Sequence, residues 1–179
     1  VKKAMQEKEK QLKEPFAPEH IEWRVQQSGK SPNRQTGEIK HWAMVLAYVT
    51  NRAIMDRLDE VFGIDGWCNE FTEAPGGGIL CGITILHHEV PITKWDGAEQ
   101  TQIEAVKGGL SGSMKRAAVQ WGIGRYLYDL ETNFVNLTEI KPPNMKGYGV
   151  HYDKESKKRL YYKHPELPEF ARPSVKDKD

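Results

Sequence analysis

The sequence predicts an α+β fold, a mostly antiparallel β-sheet packed against a long helix. Three observations carry that expectation. Alternating or doubly apolar stretches, separated by turn residues, recur over the first hundred positions, as hairpins require. One capped amphipathic helix interrupts them. A glycine-rich stretch with helical apolar spacing, "KGGLSGSMKRAAVQWGIGRYLYDL" at 107–130, follows. Strands and helices in this order suit layered packing over one core.

Positions 2–14 are charged and helix-prone with few apolar anchors, which predicts a surface or docking helix ended by Pro15 and Pro18. "HIEWRVQ" then sets Ile21, Trp23 and Val25 against Glu22, Arg24 and Gln26, the alternation of a half-buried strand. "SGKSPNRQTG" reads as a long polar turn. "HWAMVLAYV" is apolar on both faces, which predicts a strand covered on both sides. The two strands form a hairpin whose basic tip holds Lys30 and Arg34.

"TNRAIMDRLDEVFG" is the clearest helix. Thr50 or Asn51 caps it, Ile54, Leu58, Val61 and Phe62 form its stripe, and Gly63 ends it. "GWCNEFTEA" and "ILCGITILHHEV" flank three glycines at 76–78 and read as a second hairpin. Asp96-Gly97 marks a further turn, leading to a short strand near 99–103. In the long helix, Leu110, Met114, Ala117, Ala118 and Trp121 recur at three- and four-residue steps and give a buried stripe. Lys107, Ser111 and Lys115 share another face, and Arg116 lies one helical step round from Lys115. After the helix, "NFVNL" is strand-like and "KPPNMKGYG" is loop. A last hairpin runs from Tyr148 to Tyr162, turning at "DKESKK", and "HPELPEFARPSVKDKD" is a proline-punctuated extended arm that frays at its end. No internal repeat is present.

A chain of 179 residues can bury roughly 70% of its unfolded surface, enough for a stable core. No run reaches the roughly 20 apolar residues of a membrane span, and no signal-peptide apolar region opens the sequence. Cys68 and Cys81 have no metal-type spacing and fit a reducing, cytoplasmic compartment. The net charge of +1 exerts no global pull on nucleic acid. Distribution matters more: Lys107, Lys115, Arg116 and Arg125 lie in a span free of Asp and Glu. A second cluster, Lys154, Lys157, Lys158 and Arg159, is diluted by Glu155 and reads as a solvated face.

No catalytic constellation stands out. "HHEVP" lacks the spacing of a zinc-protease helix, "GGLSGSMK" lacks the ending of a phosphate-binding loop, and "GIGRYL" is too short for a dinucleotide fingerprint. Asp56, Asp59 and Glu60 imitate a metal site, but acids on a helix surface are ordinarily solvated. The expectation is no enzyme, no catalytic residue, no cofactor and no metal. The basic helix is different. Each interior glycine costs about 1 kcal/mol relative to Ala, so several together point to close backbone approach. Sequence physics leaves two readings open: a basic small-residue face that admits a phosphate chain, or a glycine-loosened core helix with incidental charges. Arg52 adds a second clue. A cation in the first turn opposes the helix dipole by about 0.3–1 kcal/mol unless an anion approaches. Its plain alternative is an ion pair with Asp56.

"VKGGLSGSMKRAAVQWGIGRYLYDL" resembles the signature helix of single-strand annealing proteins of the Rad52 superfamily, especially the bacteriophage recombinase and bacterial DNA-damage-response branch. "YVTNRAIMDRLDEVFGIDGW" resembles that family's strand-to-helix segment, and "PFAPEHIEWRV" its opening strand. The ending "HPELPEFARP" is similar to the tails of that branch, and the three ordered motifs span roughly residues 12 to 137. Eukaryotic members often carry a further basic residue where this chain has Val119, and the glycine spacing after Trp121 is shorter than theirs.

The resemblance implies a β-β-β-α-type core, assembled into a ring or helical filament of about ten protomers that holds single-stranded DNA. It implies ATP-independent annealing of complementary strands in recombination and repair. Arg52 matches a groove arginine, and Lys115 and Arg116 match the Lys-Arg pair that contacts the DNA backbone. With Lys107 and Arg125 from the basic span, these are the expected DNA-binding residues. Partners implied are single-stranded DNA, the annealed duplex intermediate, further copies of the chain and a host single-strand-binding protein, with no membrane. The setting is a bacterial cell or phage-infected host. The expected division is a binding and oligomerisation core over 1–138 and a hairpin with tail over 139–179. The alternatives are a single-strand end-protecting protein with little annealing activity and a metal-dependent nuclease.

Overall fold

Charged, poorly anchored residues open the chain as helix α1 (Lys2–Lys13), in which Leu12 is buried, as is Phe16 just beyond it. The computed structural model describes residues 2–86, 89–99 and 105–174, with the side chains of 2 and 105–107 outside that set. The fold is mixed α+β with antiparallel sheets.

Strands β1 (Ile21–Pro32) and β2 (Ile39–Val49) pair antiparallel from Ile21↔Val49 to Pro32↔Ile39, with an irregularity between Val25 and Gln27. The predicted turn over 28–37 is therefore corrected: "SGKSP" continues the strand, and the connection covers only 33–38. The ladder pairs the backbone groups that face β2, and Trp42 donates its Nε1 hydrogen to Ser31 Oγ at 3.0 Å. Strand β2 also departs from the expectation of cover on both sides. Ala43, Val45 and Val49 are buried on one face, but Leu46 on the other remains 38% exposed, so the strand is not covered on both sides. Its apolar surplus is legible in sequence, whereas the layer that would cover it is not.

Helix α2 (Asn51–Phe62) follows, with Thr50 Oγ1 accepting the Ala53 N–H at 3.3 Å and Gly63 closing it at φ 82°. Ala53, Ile54, Leu58 and Val61 are buried. The second sheet, in the order β3 (Trp67–Glu73), β4 (Ile79–Ile85), β5 (Ile92–Ala98), contains the predicted hairpin. Asp96-Gly97 is not a turn. Both residues lie within β5, where they pair with Cys81 and Leu80, and the local turn chemistry yields to the ladder. Of the strand expected near 99–103, Glu99 falls past the end of β5 and the rest lies outside the described residues.

Helix α3 (Ala105–Gln120) lies against β4 and β5. A Cβ at Gly109 would stand 2.7 Å from the Ile79 side chain, so this glycine permits the helix its close approach. The helix is shorter than the span 107–130 because Gly122 and Gly124 turn the chain at positive φ, and Arg125–Asp129 form a separate 3-10 turn. Trp121 thus stands just past the helix rather than in its stripe, although it still packs on the core and donates to the Ile83 carbonyl at 3.1 Å.

Strand β6 (Asn133–Leu137) adds to β2, and β7 (Tyr148–Asp153) pairs with β8 (Lys158–Lys163). That hairpin closes a second cluster of Ala43, Val45, Leu137, Leu160 and Tyr162, tied by a bridge between Thr138 and Tyr161. The principal core gathers Leu58, Ile83, Ile85, Met114, Ala117 and Ile123. The proline-punctuated arm is anchored to it, with Leu167 and Ala171 buried.

Candidate nucleic-acid interface

Helix α3 sets the geometry. Met114, Ala117 and Ala118 are buried, so Lys115 and Arg116, about 100° apart around the helix, leave it on different sides. Lys115 reaches the first sheet, where its Nζ meets Glu22 Oε2 on β1 at 2.6 Å and stands 5.8 Å from the Tyr48 ring on β2. Arg116 reaches the second sheet, donating from Nε to Asp96 Oδ1 on β5 at 3.0 Å. Two consecutive cations thus straddle the seam between the two sheets.

The first-sheet side holds more charge. Glu22 and Tyr48 are partners in the β1–β2 register. Arg24 donates to the same Glu22 oxygen at 3.2 Å and lies over the Tyr48 ring at 5.5 Å. Burial raises the pKa of Glu22, but the hydrogen bond from Lys115 and the two nearby cations outweigh it and hold the carboxyl below its usual range. Burial lowers the pKa of the Lys115 ammonium, which Glu22 offsets only in part while Arg24 adds to the lowering. At Asp96, burial is likewise outweighed by the Gly97 N–H, Arg116 and Gln120, and the pKa is lowered.

Arg52 lies in the first turn of α2, exposed and without an ion pair among the described residues, so the alternative contact with Asp56 is not formed. The Thr50 N–H donates to the His20 carbonyl at 2.9 Å, which places the start of α2 at the Ile21/Val49 end of the first sheet, beside the Glu22–Tyr48 rung. Arg52 and Lys115 thus both lie towards the Ile21/Val49 end of the first sheet, whereas Arg116 reaches the second. Arg125 is placed differently. It donates from Nε to the Val119 carbonyl at 2.9 Å and from Nη2 to Gln120 at 2.8 Å, closing the C-terminal end of α3. Lys107 lies in α3, but its side chain is outside the described residues.

Sequence reading missed Glu22, Arg24, Tyr48 and Asp96. The signal for the first three was present: strand alternation puts Glu22 and Arg24 on the face opposite Ile21 and Trp23, and the hairpin register sets Tyr48 opposite Glu22. Lys94 was also missed; its Nζ donates to the Gln120 carbonyl at 3.1 Å and stands 4.5 Å from the Trp121 ring.

The acids on α2 have other surroundings. Asp59 accepts from Trp67 Nε1 at 2.7 Å, while Asp56 and Glu60 line a cleft of about 390 Å³ with Glu14 and Arg57. Among the described residues no group of three or more His, Cys, Asp or Glu side chains is placed to share a metal ion, and His87 and His88 lie outside that set. Burial pushes the Cys81 thiol up to about 11, which leaves it unreactive at neutral pH. No helix among the described residues is long and apolar enough to cross a membrane.

The profile of the Rad52/22 family of double-strand break repair proteins matches residues 4–79 and 86–145. A protein of Deinococcus radiodurans named single-stranded DNA-binding protein DdrA is 32% identical over 170 residues, an alignment covering 92% of this chain and 67% of that protein. A protein of the same name from Deinococcus deserti is 29% identical over 171 residues, covering 92% of this chain and 70% of the relative.

Proposed function

The chain belongs to the Rad52/22 family of double-strand break repair proteins, and from that premise we propose that it binds single-stranded DNA and anneals complementary strands without nucleotide hydrolysis. The observation that carries this reading is the step from Lys115 to Arg116, which sets two cations on either side of the seam between the sheets. Lys115, Arg116 and Arg52 hold phosphates, and Lys107, earlier on the same helix, is counted with them. Phosphate contacts fix a strand without reading its sequence, which leaves the bases free to pair. Arg125 serves as a helix cap first and adds its charge at the far end of α3. No covalent step is assigned to any residue.

Assembly into a ring or open filament of about ten protomers completes the reading, since head-to-tail contacts give one or the other. Exposed apolar side chains support it: Leu46, Leu86, Ile92 and Phe134 remain at the surface of the single chain. Residues 1–138 form the binding and assembly core, with the hairpin and tail over 139–179. The relatives are named for single-strand binding alone, which favours a second reading as a coat that protects single-stranded ends. Mixing two complementary labelled oligonucleotides with the protein, without ATP, separates the two. Accelerated pairing is the expected result, and binding without acceleration selects the protective coat.

A further inference from the structure

We infer that Glu22 stands in for a phosphate on Lys115 and must be displaced when a strand binds, so that it tempers affinity and keeps the bound strand exchangeable. The inference rests on the DNA-binding reading above. Glu22 meets the Lys115 ammonium at 2.6 Å, a charge-assisted contact of the kind a phosphate oxygen makes. The Lys115 side chain is only 10% exposed, so its ammonium has little room for a second anion while Glu22 remains in place. Glu22 itself is 43% exposed and can rotate into water. Arg24, also half exposed and bonded to the same oxygen, can follow it and keep it neutralised.

Asp96 provides the contrast. It is bound by the Gly97 N–H at 2.7 Å as well as by Arg116 and Gln120, and its side chain is less exposed than that of Glu22. It stays in place when a phosphate approaches Arg116, whose side chain is 55% exposed. The two carboxylates thus differ in role: Asp96 orients a cation, and Glu22 yields one.

The test uses the full chain, a fluorescent poly-dT oligonucleotide, and equilibrium and stopped-flow binding. Glu22→Gln removes the competing charge. Glu22→Asp keeps the charge but shortens the reach to Lys115, and it carries the test if the first variant melts early. Glu70→Gln, on the exposed part of β3, controls for net charge. Both Glu22 variants are expected to bind about fivefold more tightly, chiefly through slower dissociation, with Glu70→Gln changing less. Affinity no tighter than that of the control, or weakened as by Lys115→Ala, would overturn the inference while leaving the DNA reading standing. If Lys115→Ala itself binds like the unaltered chain, the DNA reading at this seam fails instead.

Discussion

Arg125 donates to the Gln120 carbonyl at 2.8 Å and so closes α3 with a side chain from beyond its own terminus. The cation meets the negative end of the helix dipole, and its second bond, to Val119, satisfies another carbonyl that has no partner within the helix. Arg125→Ala should therefore lower stability by about 1–2 kcal/mol, with Lys94 retaining part of the cap. Urea unfolding checks this. Affinity for single-stranded DNA is expected to change little in the same variant; a marked loss of affinity at unchanged stability would make Arg125 a DNA contact rather than a cap.

Gly82 and Trp95 are partners across β4 and β5, and a Cβ at position 82 would come within 2.6 Å of the indole. Gly82→Ala must push the ring aside, which should cost about 1–3 kcal/mol. The Trp95→Ala background removes the obstacle, so the double variant should be less destabilised than the sum of the single changes. Thermal melts of the four proteins give the coupling directly.

Much of this arrangement was legible before the fold was known. Thr50 and Gly63 bound α2 through cap chemistry local to the sequence, and the Ile54–Leu58–Val61 stripe shows which face it buries. The end of α3 was less legible, because Trp121 continues the apolar spacing and only the positive φ of Gly122 and Gly124 halts the helix. The polar residues of "SGKSP" join β1 because the partner strand supplies their hydrogen bonds, and no local pattern announces that. At the seam, spacing identified Lys115 and Arg116 but could not show their carboxylates. Glu22 lies 93 residues from Lys115 in the chain, and long-range pairing of that kind is set by tertiary packing.

The second core depends on the last hairpin. Tyr162 is buried and donates its hydroxyl to the Trp23 carbonyl at 3.2 Å, while Leu160 fills the space against Val45 and Leu137. Tyr162→Phe should cost about 0.5–1.5 kcal/mol through that one hydrogen bond. Leu160→Ala should cost about 2–5 kcal/mol by leaving a cavity. Denaturant midpoints for both variants test the ranking, which reverses if the hairpin packs only loosely.

Acid should weaken the seam in a defined window. The folded-state pKa values of Glu22 and Asp96 are lowered, so each contributes stability that is present above its unfolded value and lost as pH falls through the folded one. The Glu22→Gln/Asp96→Asn double variant should therefore melt below the unaltered chain by a constant margin above the unfolded carboxylate values of about 4, and the margin should shrink as pH falls further into acid. Melting temperatures across that range test the point, and a margin independent of pH would show that the two carboxylates contribute by packing rather than by charge.

The proposed phosphate track makes the most direct demand. Arg52, Lys115 and Arg116 should act on the DNA backbone, so replacing each by Ala should weaken binding equally for poly-dT and for mixed sequences. For single strands the logarithm of affinity falls with the logarithm of salt concentration by about 0.7 per phosphate neutralised, and each lost contact should flatten that slope by about this amount per protomer engaged. Arg52, exposed and unpaired among the described residues, should show the change with the smallest loss of stability. Arg116→Ala takes the cation from Asp96, and Lys115→Ala leaves Glu22 with Arg24 alone, so melting temperatures must accompany both measurements. Lys154→Ala, in the turn between β7 and β8, is the control and should have the smaller effect. A salt titration of fluorescent oligonucleotide binding across these four variants and the Lys115/Arg116 double change decides the matter. If Arg52→Ala and the Lys115/Arg116 double change keep both affinity and slope in a folded, assembled protein, phosphates are held elsewhere. If the variants bind normally but lose their assembly, these cations are structural.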